Sequence, residues 1–529
     1  MNLPPLIRAM LEPGFYPPRP ASVELVQTHI SFVLLAGDAV YKLKKPVRFS
    51  FLDFSTLERR RHFCHEEVRL NRRLAPGVYR GVSGICEGGG GFELCDESAP
   101  GAVEYAVVMN RLPDDRSMRA LVAADLAGEP LIQLVAETLV RFHAEACSDD
   151  EVRANGSPEG VLAVLEDNFA NVRVFRGVTV EPEVDDEIQG FARGFIAEHG
   201  ELLRRRQGEG RIREGHGDLR LDHVYALPPV VVVDCVEFNP RFRHCDVASD
   251  VAFLAMDLTA CGRSDLARLL VEGYAARCGD GDMARLVRFY ACYRAYVRGK
   301  VESLRSVEEE VAADERERSR QSARRFFRLA LRFARGVRPL LIVIGGLSGT
   351  GKSTVARELE RRREFVRFNT DAIRKELAGV APTERPGAGI YTQEMSRRTY
   401  EEMFRRGREE LAAGRDVILD ATFQLREGRD EARRIAARAD AAHLLVWCEC
   451  PEEVIRERLA RRGRAGVDVS DADWSVYLEQ RRRHEPVQPD EAPLILDTHS
   501  LIPDTHSSLQ DTHSSLQAAA ARILAAATG

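Results

Sequence analysis

The stretch Leu340–Thr354 reads LLIVIGGLSGTGKST, and it decides the fold of the C-terminal part of the chain. Its first five residues form a short, continuous apolar run, which is typical of a buried strand in a parallel sheet. The pattern Gly-x-x-x-x-Gly-Lys-Ser follows at once, and a helical stretch is predicted over Thr354–Arg363. A glycine-rich turn between such a strand and such a helix predicts a P-loop, which binds phosphate groups.

The residue types of this loop predict how it would hold a nucleotide. Glycines let backbone amides turn towards phosphate oxygens, and the following helix N-terminus adds partial positive charge. Lys352 is expected to reach the β and γ phosphates, and the Ser353 hydroxyl to bind Mg²⁺. The expected cofactors are therefore ATP and Mg²⁺. The residues predicted to hold them in the loop are Gly346, Gly349, Thr350, Gly351, Lys352, Ser353 and Thr354.

A second predicted strand, Phe365–Asn369, is followed by Asp371 and Arg374. Ligands bind at the carboxyl ends of strands in open α/β sheets, so Asp371 is expected to face a bound substrate. There it could accept the proton of an attacking hydroxyl, or it could instead cap the next helix. Arg374 lies one helical turn further on and could hold an anionic group.

The next two predicted strands also lead into candidate site residues. Val417–Leu419 leads into Asp420, a carboxylate expected to lie beside Mg²⁺. His443–Trp447 leads into an arginine-dense helix over residues 451–464. These arginines either form a solvated basic face or close as a lid over the transferring phosphoryl group. The two favoured for the lid are Arg458 and Arg462.

These motifs together resemble the small P-loop kinases of the gluconate kinase and polynucleotide kinase type, which are AAA-type domains. The resemblance covers residues 339–520. It implies phosphoryl transfer from ATP, with Asp371 facing the acceptor hydroxyl and the lid arginines facing the nucleotide. The acceptor is expected to be a small hydroxyl-bearing metabolite, and a polynucleotide is the alternative.

A second set of motifs lies in the N-terminal part. Residues 216–223 read HGDLRLDH and precede the predicted strand Val230–Val233, which ends in Asp234. This resembles the catalytic loop of aminoglycoside phosphotransferases and of the wider protein-kinase-like fold. The resemblance implies that Asp218 is the catalytic base and Asp234 a Mg²⁺ ligand. His223 stands where that pattern has asparagine, so it is the predicted second metal ligand, and Asp222 could substitute for it.

Further residues in the N-terminal part match the same pattern in the same order. Lys42, or Lys44 on the same strand face, resembles the lysine that holds nucleotide phosphates; Lys42 is preferred. Glu66 or Glu67, on the helix predicted over residues 56–74, would be its ion-pair partner, and Glu67 is chosen as the site residue. Met109 belongs to a stretch, VVMNRL, that resembles the adenine-contacting segment.

Length and pattern divide the chain into two domains of different fold. A chain of 529 residues exceeds the about 250–300 residues that one hydrophobic core can serve. Residues 1–335 are expected to form an α+β, bilobal protein-kinase-like domain, with a small lobe over 22–113 and a large lobe over 114–335. A charged, solvated helix over 302–325 would lead out of it. Residues 336–529 are expected to form an α/β domain of P-loop type, with a parallel sheet.

Composition limits the partners. The net charge of −6 gives no general attraction to nucleic acid or anionic membranes, so nucleic-acid binding is not favoured. No signal peptide and no apolar run of about 18 residues are found, so we expect a cytoplasmic protein without a membrane span. The 11 scattered cysteines are expected to be reduced thiols. Copies of Asp-Thr-His spaced by seven residues predict a flexible surface loop at about 497–517.

The whole arrangement resembles bacterial proteins that fuse an aminoglycoside phosphotransferase-like domain to a P-loop kinase domain. The resemblance implies a bifunctional ATP-dependent phosphotransferase. The alternative is an N-terminal pseudokinase that senses a ligand and regulates the C-terminal kinase. Asp246 and Asp250, four residues apart, would either position a substrate or brace the catalytic loop.

Overall fold

A computed structural model describes residues 3–49, 52–89, 91–308, 311–381, 390, 392–465, 472–501 and 509–528. The chain divides into two compact units, which comprise Met1–Leu258 with Leu266–Ala334 and Thr259–Asp265 with Arg335–Gly529. Their main division after Ala334 lies one residue from the predicted domain boundary. In the part of the chain that the structure describes, no helix is both long and apolar enough to cross a membrane.

The first unit begins with an antiparallel sheet in the order β1-β2-β3-β8-β6-β7. The strands of this lobe are β1 (Val23–Gln27), β2 (Ser31–Ala36), β3 (Ala39–Lys44), β4 (Arg48–Phe49), β5 (Leu52–Asp53), β6 (Tyr79–Gly88), β7 (Gly91–Cys95) and β8 (Ala102–Asn110), and the helices are α1 (Pro5–Met10) and α2 (Leu57–Asn71). The predicted strands near residues 29–35, 39–43 and 103–109 and the predicted helix near 56–74 are confirmed. Strands β1, β4, β5, β6 and β7 were not predicted.

Strand periodicity explains how this sheet is held. Alternate residues face opposite sides of a sheet. Leu34 and Tyr41 pack in a core with Ile7 of α1, whereas Val107 packs on the other side with Val68 of α2. Helix α2 begins at its N-cap Thr56, whose side chain accepts a hydrogen bond from the Arg59 amide. The sheet therefore fixes the position of α2, which carries Glu67.

The large lobe is mainly helical. Its helices are α3 (Met118–Ala123), α4 (Glu129–Glu145), α5 (Asp150–Ala154), α6 (Pro158–Val172), α7 (Pro182–Gly208), α8 (Pro240–Arg243), α9 (Val247–Ala260), α10 (Ser264–Cys278), α11 (Met283–Arg305) and α12 (Ala313–Arg335). Two short antiparallel ribbons pair β9 (Ile212–Glu214) with β12 (His244–Asp246) and β10 (Val224–Tyr225) with β11 (Val231–Val232). The segment 215–223 runs from one ribbon to the other, and Asp234 follows the second ribbon. The first unit thus has the predicted bilobal, protein-kinase-like fold.

The structure corrects two predictions in this unit. The helix predicted over residues 302–325 is two helices, because α11 ends at Arg305 and α12 begins at Ala313. Ser306 at the end of α11 donates a side-chain hydrogen bond to the Ser303 carbonyl, a local bond that competes with the helix. The prediction that all cysteines are reduced is also wrong: Cys86 and Cys95 form a disulfide. The β6–β7 hairpin brings their Cα atoms within 6.0 Å, which permits the bond.

The second unit is a parallel sheet in the order β14-β15-β13-β16-β17. Its strands are β13 (Leu340–Gly345), β14 (Phe365–Asn369), β15 (Asp416–Asp420), β16 (Ala442–Glu449) and β17 (Leu494–Asp497), and its helices are α13 (Lys352–Arg362), α14 (Thr370–Leu377), α15 (Gln393–Ala412), α16 (Arg426–Arg438), α17 (Glu452–Ala465), α18 (Trp474–Arg483) and α19 (Leu509–Thr528). The predicted strands near residues 340–344, 365–369, 417–419 and 443–447 are confirmed. Because the strands are parallel, their carboxyl ends lie at one edge of the sheet, where ligands bind.

The central strand β13 is buried along its whole length, as its continuous apolar run predicts. Leu341 and Val343 pack in one core with residues of α15 and α16. Ile342 and Ile344 pack in a second core with residues of α13 and α19. Helices therefore cover both faces of the sheet, and β13 fixes where the P-loop begins.

The prediction of a flexible surface loop over 497–517 is wrong for its two ends. Asp497 is the last residue of β17, and the next residue, Thr498, is fully buried. The last copy of the repeat, 511–517, lies within α19, and the alanine-rich stretch that follows explains this because alanine strongly favours helix. Residues 502–508 lie outside the described residues.

Truncation of the central strand tests this core. We expect Ile342→Ala to lower the free energy of unfolding of the second unit by about 2–5 kcal/mol, because it leaves a cavity. Both tryptophans of the chain, Trp447 and Trp474, lie in this unit, so urea unfolding followed by tryptophan fluorescence reports on it alone. Ile495→Ala is the control, because Ile495 is 44% exposed. An equal loss in both variants would contradict the assigned core.

Candidate active sites

The P-loop is held open by glycines in backbone conformations that other residues rarely adopt. Gly346 has φ of +139°, and a Cβ atom there would lie 2.6 Å from the Cys448 carbonyl oxygen. Gly351 has φ of +86° and caps α13, so Lys352 is the first residue of that helix. The loop therefore delivers its amides and the helix N-terminus to one place, as phosphate binding requires.

Side chains fix the curvature of the loop from inside and outside. Lys352 Nζ and Thr350 Oγ1 both donate to the Leu347 carbonyl, at 2.9 and 2.8 Å. Outside the loop, Thr498 Oγ1 donates to the Thr350 carbonyl at 2.7 Å. Thr498 was not predicted as a site residue, because its contact depends on where β17 ends in the folded sheet.

A carboxylate at the end of β15 faces the first turn of α13. Ser353 Oγ donates to Asp420 Oδ2 at 2.9 Å, and Asn369 Nδ2 donates to the same oxygen at 3.1 Å. Asp420 is buried, and among the described residues no group forms a hydrogen bond with its Oδ1. A hydroxyl beside a buried carboxylate with one oxygen left over suits Mg²⁺, which prefers oxygen ligands. The predicted pair Ser353 and Asp420 is thus adjacent in space and fits the ion.

Asp371 and Arg374 lie at the same edge of the sheet, on α14. Their side chains form an ion pair at 2.9 Å. The alternative that Asp371 caps this helix is wrong, because the cap is Asn369, whose Oδ1 accepts from the amides of Asp371 and Ala372. The Asp371 carboxylate is therefore available for other contacts, and its side chain is 24% exposed.

The predicted lid helix is α17, where the structure gives Arg458 an inward position. Arg458 is buried and donates to the carbonyl of Thr498 at 3.2 Å, so it contacts the residue that braces the P-loop. The side chain of Arg462 lies outside the described residues. Contacts of these arginines with a phosphoryl group stay predictions.

Helix α18 supplies a P-loop contact that sequence reasoning missed. Gln480 Oε1 accepts a hydrogen bond from the Ser348 amide at 2.9 Å. A glutamine among arginines on a short helix gives no signal of this role in the sequence. The contact places α18 directly over the loop.

In the first unit, the predicted lysine and glutamate are adjacent. Lys42 Nζ, on β3, lies 2.8 Å from Glu67 Oε1 on α2 and 2.6 Å from Asp234 Oδ1. Lys44 also bonds Glu67 and in addition Glu237, but its side chain is fully buried, whereas that of Lys42 is 15% exposed. Lys42 is therefore the lysine that a nucleotide could reach.

Glu66 and Met109 are the other two residues that were predicted for the site of the first unit. Glu66 pairs with Arg69 instead of with a lysine, which leaves Glu67 as the partner of Lys42. Met109 lies near the end of β8, opposite Val40 of β3. Contact of Met109 with adenine stays a prediction.

The catalytic-loop residues converge on one guanidinium group. Asp218 accepts from Arg220 Nε with both carboxylate oxygens, at 3.0 and 3.1 Å. His223 Nε2 lies 2.9 Å from Arg220 Nη2 and 3.5 Å from Asp234 Oδ2. Burial would raise the pKa of Asp218, but the positive charge of Arg220 holds it below its ordinary value. Arg220 was missed as a site residue, although it stands only two positions after Asp218.

Asp250 braces this loop from behind. Its carboxylate accepts from the amides of His216 and Gly217, at 2.6 and 2.9 Å, and lies 3.3 Å from His143 Nε2. Asp246 is instead paired with Arg206, at 2.6 Å. For Asp250 the structure favours the predicted bracing of the loop, whereas either role of Asp246 stays a prediction.

Comparison with known proteins assigns part of this architecture. A family model described as an AAA domain matches residues 341–487. Proteins of Mycobacterium tuberculosis and Mycobacterium bovis, each described as uncharacterized, are 34% identical over 468 residues, which cover 87% of this chain and 90% of theirs. A cytidylate kinase of Methanopyrus kandleri is 31% identical over 148 residues, which cover 27% of this chain and 71% of that protein.

Solved structures are similar at lower identity. A choline/ethanolamine kinase family protein from Mesorhizobium loti covers 63% of this chain and 99% of its own, at 12% identity and a TM-score of 0.36. A gluconokinase from Sinorhizobium meliloti covers 35% of this chain and 93% of its own, at 21% identity and a TM-score of 0.25.

The parallel sheet, the P-loop and the AAA-domain match together define the second unit as a P-loop kinase-like domain. The chain as a whole belongs to the same family as the mycobacterial proteins, which it matches over most of both lengths.

The buried His216 gives the first unit a predictable response to acid. Burial lowers the pKa of His216 to about 4, although Asp250 attracts the charged form. The unfolded chain takes up this proton near pH 6.5, whereas the folded chain does so only near pH 4. His216 therefore stabilises the fold above pH 6.5, and this contribution is lost as the pH falls towards 4.

We expect His216→Gln to make the free energy of unfolding less dependent on pH. The slope should fall by the contribution of one proton, about 1.4 kcal/mol per pH unit between pH 6.5 and 4. Glutamine keeps a donor for the Val233 carbonyl, which His216 Nε2 contacts at 3.0 Å. Urea unfolding followed by circular dichroism at several pH values measures the slope. His62→Gln, at an exposed position, is the control, and identical slopes in both variants would contradict the prediction.

Proposed function

We propose that the second unit transfers the γ-phosphoryl group of ATP to a hydroxyl group of a small metabolite. The observation that carries the proposal is the adjacency of Ser353 and Asp420 at the strand edge where Asp371 also lies. A phosphate cradle, a hydroxyl and carboxylate suited to Mg²⁺, and a partly exposed carboxylate at the same sheet edge are the groups that phosphoryl transfer needs together.

Each group has a distinct task in the transfer. The P-loop amides and Lys352 bind the β and γ phosphates and hold the γ phosphorus in line with the acceptor. Ser353 and Asp420 would hold Mg²⁺, which would neutralise charge on the phosphates. Asp371 accepts the proton of the acceptor hydroxyl. Arg374 keeps the Asp371 carboxylate oriented through their ion pair and is available to an anionic group of the acceptor.

Two substitutions separate nucleotide binding from proton transfer. They are made in a chain that carries Lys42→Ala, so that only the second unit is active. We expect Lys352→Ala to lower phosphorylation of a metabolite mixture by at least about 100-fold through lost phosphate stabilisation. Asp371→Asn is expected to lower turnover by about 10²–10⁴-fold while ATP affinity stays within about threefold.

The readout is transfer of labelled γ-phosphate, with ATP affinity measured by calorimetry. Asp440→Asn is the matched control, because Asp440 is the same residue type in the turn before β16, at the opposite edge of the sheet. Undiminished turnover in Lys352→Ala would overturn the proposal for this unit. A loss in Asp440→Asn as large as in Asp371→Asn would remove Asp371 as the base.

We propose that the first unit also binds ATP and transfers its γ-phosphoryl group, with Asp218 as the base and Asp234 as a cation ligand. The intact Lys42–Glu67 ion pair supports nucleotide binding, because it places an ammonium group beside Asp234. The second candidate is a ligand-sensing pseudokinase that regulates the second unit. Arg220 bonds both oxygens of Asp218, whereas the described bond of Arg374 is to one oxygen of Asp371. This favours the second candidate, since a base needs an oxygen that no guanidinium group holds in order to take a proton.

Calorimetry on the full chain counts the sites. We expect two ATP molecules per chain, and one in either Lys42→Ala or Lys352→Ala. Lys45→Ala is the control, because Lys45 lies over the Phe32 ring and outside the ion-pair cluster. Two sites remaining in Lys42→Ala would contradict nucleotide binding at Lys42. If Asp218→Asn leaves every phosphoryl transfer intact while two ATP molecules still bind, the first unit is the sensing module.

A further inference from the structure

We infer that the ATP site of the first unit works with a single divalent cation, and that the guanidinium group of Arg220 takes the place of a second one. Protein-kinase-like sites hold two ions, one on the aspartate that follows the second ribbon and one on the catalytic-loop residue that is His223 here. The inference rests on the proposed ATP binding by this unit.

Arg220 contacts the groups that would surround a second ion. Its Nε donates to both oxygens of Asp218, its Nη1 lies 3.3 Å from Asp222 Oδ2, and its Nη2 lies 2.9 Å from His223 Nε2. Asp218 is the proposed base, His223 is the predicted metal ligand, and Asp222 is the residue that could replace His223 as a ligand. One organic cation therefore already neutralises the set from which a metal ion would draw its ligands.

The hydrogen bonds of His223 identify which ring nitrogen could hold a metal. Nδ1 lies 2.8 Å from the Asp218 carbonyl, which can only accept, so Nδ1 carries the proton. Arg220 Nη2 lies 2.9 Å from Nε2 and can only donate, so Nε2 accepts this bond with its lone pair. A metal ion would need that same lone pair, so the ion and the guanidinium group exclude each other.

Asp222, which could replace His223 as a metal ligand, also already has hydrogen-bond partners. Arg119 donates to both of its oxygens at 3.0 Å, from Nε to Oδ1 and from Nη2 to Oδ2. A divalent cation placed here would lie close to the guanidinium groups of Arg119 and Arg220, and it would be repelled by both. The residues at this position therefore do not fit a second metal ion.

Asp234 keeps the means to hold one ion. Lys42 bonds its Oδ1, whereas the described residues give its Oδ2 only the 3.5 Å contact with His223 Nε2, and the side chain is 45% exposed. An oxygen that solvent can reach suits an ion that arrives with the nucleotide and keeps several waters. Arg220 adds a positive charge that belongs to the protein. Its planar guanidinium group can bond two phosphate oxygens at once.

The inference is tested by counting the ions bound to the full chain. This chain carries Lys352→Ala and Ser353→Ala, which silence the site of the second unit, and it is the parent chain for the variants below. The probes are Mn²⁺ and the β,γ-methylene analogue of ATP, which has no nitrogen in its phosphate chain. Free Mn²⁺ is measured by electron paramagnetic resonance, and pulsed measurements on the bound ion detect a directly bound histidine nitrogen. We expect one Mn²⁺ per bound nucleotide and no histidine coupling.

Variants of Arg220 provide the comparison. Arg220→Ala is expected to bind two Mn²⁺ per nucleotide and to show the coupling of His223. Arg220→Lys keeps the charge and is expected to bind one. Two ions in the parent chain, or a histidine coupling in it, overturn the inference even if Arg220→Ala does not fold. Binding of no nucleotide by the parent chain instead overturns the proposed function of this unit, and the inference with it.

Discussion

A hydrogen bond of 2.9 Å between Ser353 Oγ and Asp420 Oδ2 joins the first turn of α13 to the end of β15, and the site of the second unit depends on it. The bond forms because β13 and β15 are paired in register, so that Ile344 lies opposite Asp420. The buried apolar strands thereby fix a hydroxyl and a carboxylate at the place where the P-loop amides converge. Asn369 extends the arrangement, since it bonds Asp420 and also caps the helix that carries Asp371.

The proposed site of the first unit is built from ion pairs instead of loop amides. Lys42 joins Glu67 of α2 to Asp234 after the second ribbon, and Arg220 joins Asp218 to His223. Burying such charges is costly unless each has partners, which explains why these residues form a continuous network. The two proposed phosphate sites therefore differ in how they are built. One rests on backbone geometry and the other on paired side chains.

The sequence predicts best what depends on neighbouring residues. The strand at 365–369 is found with the predicted bounds, because a short apolar run before a polar turn is a local signal. Strand β6 was missed, because its glycines and polar residues show no alternation. The Cys86–Cys95 bond, the contact of Gln480 with Ser348 and the position of Arg220 depend on tertiary approach, which spacing in the chain does not encode. Thr498 lay in a repeat whose composition suggested only a loop.

The function proposed for the second unit requires that the P-loop and Asp420 together hold a Mg²⁺-bound triphosphate. Crystals of the full chain grown with Mn²⁺ and the β,γ-methylene analogue of ATP test it directly through the anomalous scattering of the ion. We expect a triphosphate wrapped by residues 346–353, with an ion bound by Ser353 Oγ on the side that faces Asp420. A triphosphate bound away from this loop, or a loop-bound triphosphate with no ion beside Ser353, would contradict it.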